Sequence, residues 1–158
     1  MIWYLYLVLF FWEVDADIAD IKFQKIILYV AFIQATVATF GSLYFSDVMN
    51  LPPCVLCWYQ RIAMYPLVFI FAVGIIRKSR DIVFFALPLS LTGLVIAIYH
   101  NLLYWKILPE SIAPCTAGIS CTTKFFEWFG FVTIPLMALM SFAVINICML
   151  LFIINKQK

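Results

Sequence analysis

Charge is what this chain has least of: Asp, Glu, Lys and Arg together make up 11% of its 158 residues, against 66% apolar ones. The mean hydropathy is +1.08. A water-soluble domain of this size could not carry that balance without precipitating, so a soluble fold is excluded. A flavin or nicotinamide fingerprint is also missing, and no loop is long enough to fold around such a cofactor, which removes the usual soluble redox carriers. The opening segment, Met1 to Trp12, has neither the basic start nor the small-residue cleavage site of a secretory leader.

What is present is apolar sequence in membrane-length blocks. A helical crossing needs roughly 20 apolar residues, and four stretches qualify, at about 26–45, 58–76, 82–104 and 131–154. The expected fold is an all-α membrane protein, a four-transmembrane-helix bundle over residues 24–156. Residues 1–23 are set apart as an N-terminal extension, interfacial or poorly ordered. Its first twelve residues reach only about 18 Å as a helix, short of a bilayer, and an acidic run, Glu13, Asp15, Asp17 and Asp20, follows them.

The few cations set the orientation. Lys22, Lys25, Arg77, Lys78, Arg80, Lys156 and Lys158 fall on one side of a four-helix threading, against Lys106 and Lys124 on the other. Both termini are therefore expected in the cytoplasm. The loops at 46–57 and 105–130 then face outward, and they hold four of the five cysteines. An even number on an oxidising side suggests disulfides, with Cys54 and Cys57 as one candidate pair and Cys115 and Cys121 as the other. Cys148, late in the fourth helix, reads as a small apolar core residue.

Two helices carry strips of small residues on one face, where another helix can approach closely. The first is Ala31, Ala35, Ala38 and Ser42. The second is Ala86, Ser90, Gly93 and Ala97, and three residues further on it reaches His100. Pro66, Pro88 and Pro135 fall inside the expected spans, where membrane helices tolerate them as kinks. Aromatic residues crowd the outer end of the bundle (Tyr44, Phe45, Trp58, Tyr59, Tyr104, Trp105 and the run from Phe125 to Phe129), as in an interfacial belt.

The chemistry gathers at Cys54-Val55-Leu56-Cys57, just after Pro52-Pro53. In a helix beginning near Cys54, the residues Cys54, Cys57, Arg61, Tyr65 and Val68 share a face. The helix dipole, the unpaired amides of the first turn and Arg61 would then favour a thiolate on Cys57. An arginine within a membrane helix requires a partner or a polar cavity. His100, roughly 27 Å from the cytoplasmic end of its helix, lies at the depth of Arg61. The two could donate hydrogen bonds to the carbonyl oxygens of a quinone head group. CxxC spacing also serves zinc, with Cys54, Cys57, Cys115 and Cys121 as four possible ligands. Metal thiolates in an oxidising compartment are prone to oxidation, however, and such a site would leave Arg61 unexplained, so no resident metal is expected.

The chain resembles the DsbB family of membrane disulfide oxidoreductases, most closely its short, BdbC-like members. The resemblance rests on Gly41-Ser42-Leu43-Tyr44-Phe45, on Cys54-Val55-Leu56-Cys57-Trp58-Tyr59-Gln60-Arg61, on Met64-Tyr65-Pro66, and on Trp128-Phe129-Gly130-Phe131 ahead of Ile134-Pro135. It implies a quinone-dependent protein thiol oxidase of the cell membrane that reoxidises a secreted thioredoxin-like enzyme of DsbA or BdbD type. Carried over by motif, Cys115 is attacked by the partner and Cys121 is released. Cys121 then attacks the Cys54/Cys57 disulfide at Cys54, freeing Cys57 to face menaquinone or ubiquinone, with Arg61 and His100 at the quinone. Only five residues separate Cys115 from Cys121, which fits the short subgroup and calls for no more than a small loop shift in the relay. The expected unit is a monomer in lipid, with no nucleic-acid partner. Two alternatives are a non-catalytic four-helix membrane protein with structural disulfides and an enzyme like vitamin K epoxide reductase. The latter places its quinone-side CxxC in the last helix, whereas here it opens the second.

Overall fold

The computed structural model describes residues 2–79, 81–109, 127–128 and 132–156. Helix α1 (Ile2–Leu43) ends in a wider π-helical turn (Tyr44–Val48), and α2 (Val55–Arg77), α3 (Ile82–Tyr104) and α4 (Ile134–Lys156) follow. Between α3 and α4, β1 (Glu127–Trp128) and β2 (Val132–Thr133) form a short antiparallel ladder. Among the described residues, four helices are long and apolar enough to cross a membrane: Lys22–Val48, Val55–Arg77, Ile82–Tyr104 and Ile134–Ile154. The protein is a four-helix, multi-pass membrane protein.

Each helix packs against two others: α1 against α2 and α4, and α3 against the same two, which closes a square. The small-residue strips make this possible. Ala31 and Ala35 of α1 are fully buried, and along α3 so are Ala86, Ser90, Gly93, Ala97 and His100. The interior also holds polar bridges that satisfy one another in the absence of water. Ser90 Oγ donates to Asn146 Oδ1 at 3.1 Å, and Asn146 Nδ2 returns a bond to Ser90 O at 3.1 Å, tying α3 to α4. Gln34 Nε2 donates to Ser141 Oγ at 3.0 Å, tying α1 to α4. Cys148 sits in the apolar core, as its neighbours in sequence suggested.

The helix ends depart from the sequence reading for local reasons. α2 starts at Val55, not 58, because Cys54 caps it. α4 starts at Ile134, not 131, because Val132 and Thr133 are paired in the ladder and Thr133 Oγ1 accepts from Leu136 N at 3.4 Å. Pro135 is therefore in the first turn, where its missing N–H breaks no helical bond. Pro66 and Pro88 lie in the helix interior, in α2 and α3. At the other end, helical backbone runs upstream through 2–23, continuous with the first span. Deleting residues 1–12 is expected to leave the threading unchanged, because Lys22–Val48 alone meets the length of a crossing. Thiol labelling from outside the cell measures this, and an altered labelling pattern would assign those residues a part in insertion.

Candidate functional site

The dithiol is built by a chain reversal that the sequence enforces. Asn50 adopts a left-handed backbone (φ 51°), a conformation Asn accepts more readily than most residues. Pro52 and Pro53 then hold the chain extended, up to Cys54 at φ −72° and ψ 170°. Cys54 is the N-cap of α2, and its sulfur takes the part usually played by a serine oxygen: Cys57 N donates to Cys54 Sγ at 3.3 Å. The Cys57 thiol lies one turn on, with its sulfur 2.8 Å from that of Cys54. From α3, His100 Nε2 comes within 3.7 Å of Cys54 Sγ. Gln60 Nε2 stands 3.5 Å from the other ring nitrogen of His100.

These contacts bear mainly on Cys54. The Cys57 thiol donating to its sulfur holds the Cys54 thiol down at about 4, from an ordinary 9.0. Burial opposes this, while His100, by hydrogen bond and by charge, and the Cys57 amide add to it. The first-turn amide expected to favour a thiolate on Cys57 is thus aimed at Cys54 instead. The helix starts one residue after the first cysteine, so the second one's own N–H points back at the cap.

Arg61 finds its partner on α1. Its Nε donates to Ser42 Oγ and an Nη to Ser42 O, each at 2.8 Å. The guanidinium also lies 5.5 Å from the centre of the Trp58 ring, a cation–π arrangement. The pairing places a positive charge near the C-terminal end of the first span, just before its π-helical turn. It also leaves guanidinium donors for the space beside it.

That space is a cavity of about 280 Å³ to which all four helices contribute. Cys54, Cys57, Arg61 and His100 line it, with Tyr65 below them and Phe142 on the α4 side. The Tyr65 hydroxyl is buried and has no hydrogen-bond partner among the described residues. A buried polar atom of this kind is costly unless something in the cavity meets it.

Of the candidate residues, the fold brings Cys54, Cys57, Arg61 and His100 to one cavity. Cys115 and Cys121 lie outside the described residues. Ser42 and Gln60 were not singled out for any role at the site. Ser42 reads as part of a packing strip, and Gln60 is simply the neighbour of Arg61. Gln60 had one available signal: it is three residues from Cys57 and so on the same helical face.

The family model for "Disulfide bond formation protein DsbB" matches residues 24–152. Among relatives, "Probable disulfide formation protein C 1" of Bacillus anthracis is 42% identical over 136 residues, covering 85% of this chain and 97% of that protein. "Disulfide bond formation protein C" of Bacillus subtilis (strain 168) is 40% identical over 137 residues, 87% of this chain and 99% of that protein. "Probable disulfide formation protein" of Oceanobacillus iheyensis is 41% identical over 136 residues, covering 84% and 92% respectively. No solved structure matches the chain.

Proposed function

The chain belongs to the DsbB family and is a membrane disulfide oxidoreductase, and from that premise we propose that it takes electrons from a secreted thiol oxidase of DsbA or BdbD type and delivers them to quinone in the cell membrane. The observation that carries the reading is the shared cavity: a vicinal dithiol, an arginine and a histidine open onto one lipid-embedded space. Both termini are cytoplasmic in this proposal, which puts Cys54 on the oxidising side.

The cavity suits a quinone head group. Its volume of about 280 Å³ lies at the lower end of small-molecule sites, about 300–1,000 Å³. Its walls are largely apolar, with Val37, Met64 and Phe142 among them. The unmet Tyr65 hydroxyl and the spare Arg61 donors supply polar contacts of the sort a carbonyl oxygen accepts. Quinone, when bound, supplies a sink for two electrons and two protons.

The protein's own residues carry the rest. The partner's dithiol exchanges with the Cys115–Cys121 disulfide, and two electrons and two protons pass to that pair as the partner becomes oxidised. Cys121 attacks Cys54, the Cys54–Cys57 bond breaks, and Cys57 leaves as the thiolate beside Arg61. Re-forming the Cys115–Cys121 disulfide leaves both electrons on Cys54 and Cys57. The Cys57 amide and His100 stabilise negative charge on Cys54, which makes it a good leaving group whenever its bonds are exchanged. The apolar walls keep water from the pair. A strongly oxidising partner is regenerated only by an acceptor of still higher potential, which favours a quinone over a cytosolic disulfide as the terminal acceptor.

Thiol trapping with and without added quinone tests the reading. Cys54 and Cys57 should cycle between labelled and protected forms as the reduced partner and then quinone are added. Static protection throughout would mark a structural disulfide. Arg61→Ala is expected to raise the KM for quinone about tenfold or more, the scale of a lost charged hydrogen bond, with a smaller effect on the KM for the protein substrate. Equal rises in both would assign Arg61 only the task of holding α1 to α2 through Ser42.

A further inference from the structure

The two cysteines and the histidine of this cavity also stand close enough together to share one ion. Cys54 Sγ, Cys57 Sγ and a ring nitrogen of His100 all lie within 4.8 Å of one another. With Zn–S near 2.3 Å and Zn–N near 2.0–2.1 Å, a tetrahedral ion sets a sulfur and a nitrogen ligand about 3.6 Å apart and two sulfurs about 3.8 Å apart. The Cys54–His100 separation is 3.7 Å, already at that value. The two sulfurs, 2.8 Å apart, need to part by about 1 Å relative to the ideal. The Cys57 thiol makes neither the cap bond nor the His100 contact, so rotation of that thiol opens the gap while Cys54 keeps both.

We propose that the reduced Cys54–Cys57 pair and His100 bind one soft divalent ion, of the zinc or cadmium type, reversibly and in competition with reoxidation of the dithiol. Three protein ligands with a fourth position open to a cavity is the layout of exchangeable sites, not of closed structural ones. Thiolate and imidazole ligands select zinc, cadmium or cobalt over magnesium or calcium. Gln60, beside the far nitrogen of His100, stands where a supporting contact to a metal-bound imidazole belongs. The loop cysteines take no part, which separates this site from a four-cysteine zinc centre. On binding, the pair gives up its remaining thiol proton, two metal–sulfur bonds and one metal–nitrogen bond form, and no oxidation state changes. Oxidation of the pair to a disulfide consumes both thiolates and closes the site. The ion thus holds the enzyme in its electron-loaded form, and its binding depends on no acceptor, so it is judged apart from the quinone reading.

The test uses the full-length protein in detergent with Cys115, Cys121 and Cys148 each replaced by serine, leaving Cys54 and Cys57 as its only thiols. Cobalt(II) is added to the reduced and oxidised forms, and the visible bands of tetrahedral, thiolate-bound cobalt are followed. One ion per reduced chain is expected, displaced by zinc, with no such bands in the oxidised chain. His100→Leu should weaken binding at least tenfold, and His100→Cys should restore it with a shifted charge-transfer band. Equal binding by both redox forms, an absence of tetrahedral bands in the reduced form, or an affinity indifferent to His100→Leu would overturn the proposal. The redox comparison needs no change at His100 and so stands even if that variant fails to fold.

Discussion

Replacing Cys57 by alanine is expected to bring quinone reduction down by about three orders of magnitude or more, the scale on which losing a reacting nucleophile is felt. A mixed disulfide between the partner and Cys115 should still form. The reasoning begins with the cap. The bond that starts α2 comes from the backbone N–H of Cys57 to Cys54 Sγ, and alanine keeps that N–H. The Arg61–Ser42 contacts that join α2 to α1 do not involve the thiol either. Helix start, bundle and cavity should therefore persist, and the loss can be assigned to the missing sulfur. Without it Cys54 has no neighbour with which to store two electrons, so exchange stops at the first couple. Loss of quinone absorbance on adding reduced partner measures the first outcome, and a non-reducing gel shows the second. Turnover equal to the parent would reject Cys57 as the residue that meets the acceptor.

The bundle was legible because its causes are local. Four apolar blocks can satisfy their backbone in lipid only as helices, and the buried face of α3 was written out as Ala86, Ser90, Gly93, Ala97 and His100. Following that strip brought His100 to the site without any structure. The depth shared by His100 and Arg61 followed from counting residues along two helices. The partner of Arg61 could not be read, because Ser42 lies on another helix and its serine is one of many small residues there. With the contact known, the joint presence of Gly41-Ser42 and Cys57-Trp58-Tyr59-Gln60-Arg61 has a physical reason, since one motif supplies the acceptor for the other. The sulfur that receives the first-turn amide was misjudged for a narrower reason. A helix opening at 58 is capped by Cys57, whereas one opening at Val55 is capped by Cys54 with the Cys57 N–H turned back to it, and element ends are the least determined part of a sequence reading. The α4 start moved for a similar cause: pairing of Val132 and Thr133 with β1 is a non-local contact that periodicity cannot register.

Gly93→Ala is expected to damage stability and quinone retention together. A β-carbon at Gly93 would run into the ring of Phe142 on α4, and that ring is 1% exposed, so neighbours confine it on nearly every side. On one side it lines the cavity. Overpacking of this kind costs about 1–3 kcal/mol, and a ring driven into the cavity takes up space proposed for the head group. The variant should melt earlier in detergent and retain less quinone on purification. Adding Phe142→Leu to Gly93→Ala should recover most of the stability, since the smaller side chain returns the volume that the methyl occupies. Gly74→Ala provides the contrast: there the added carbon meets the Ile82 side chain at the α2–α3 seam, and neither residue lines the cavity. It should lower the melting temperature while leaving quinone content unchanged. If Gly93→Ala instead lowers only stability, in the manner of Gly74→Ala, the head group does not reach as deep as Phe142 and lies nearer the Cys54 end of the cavity.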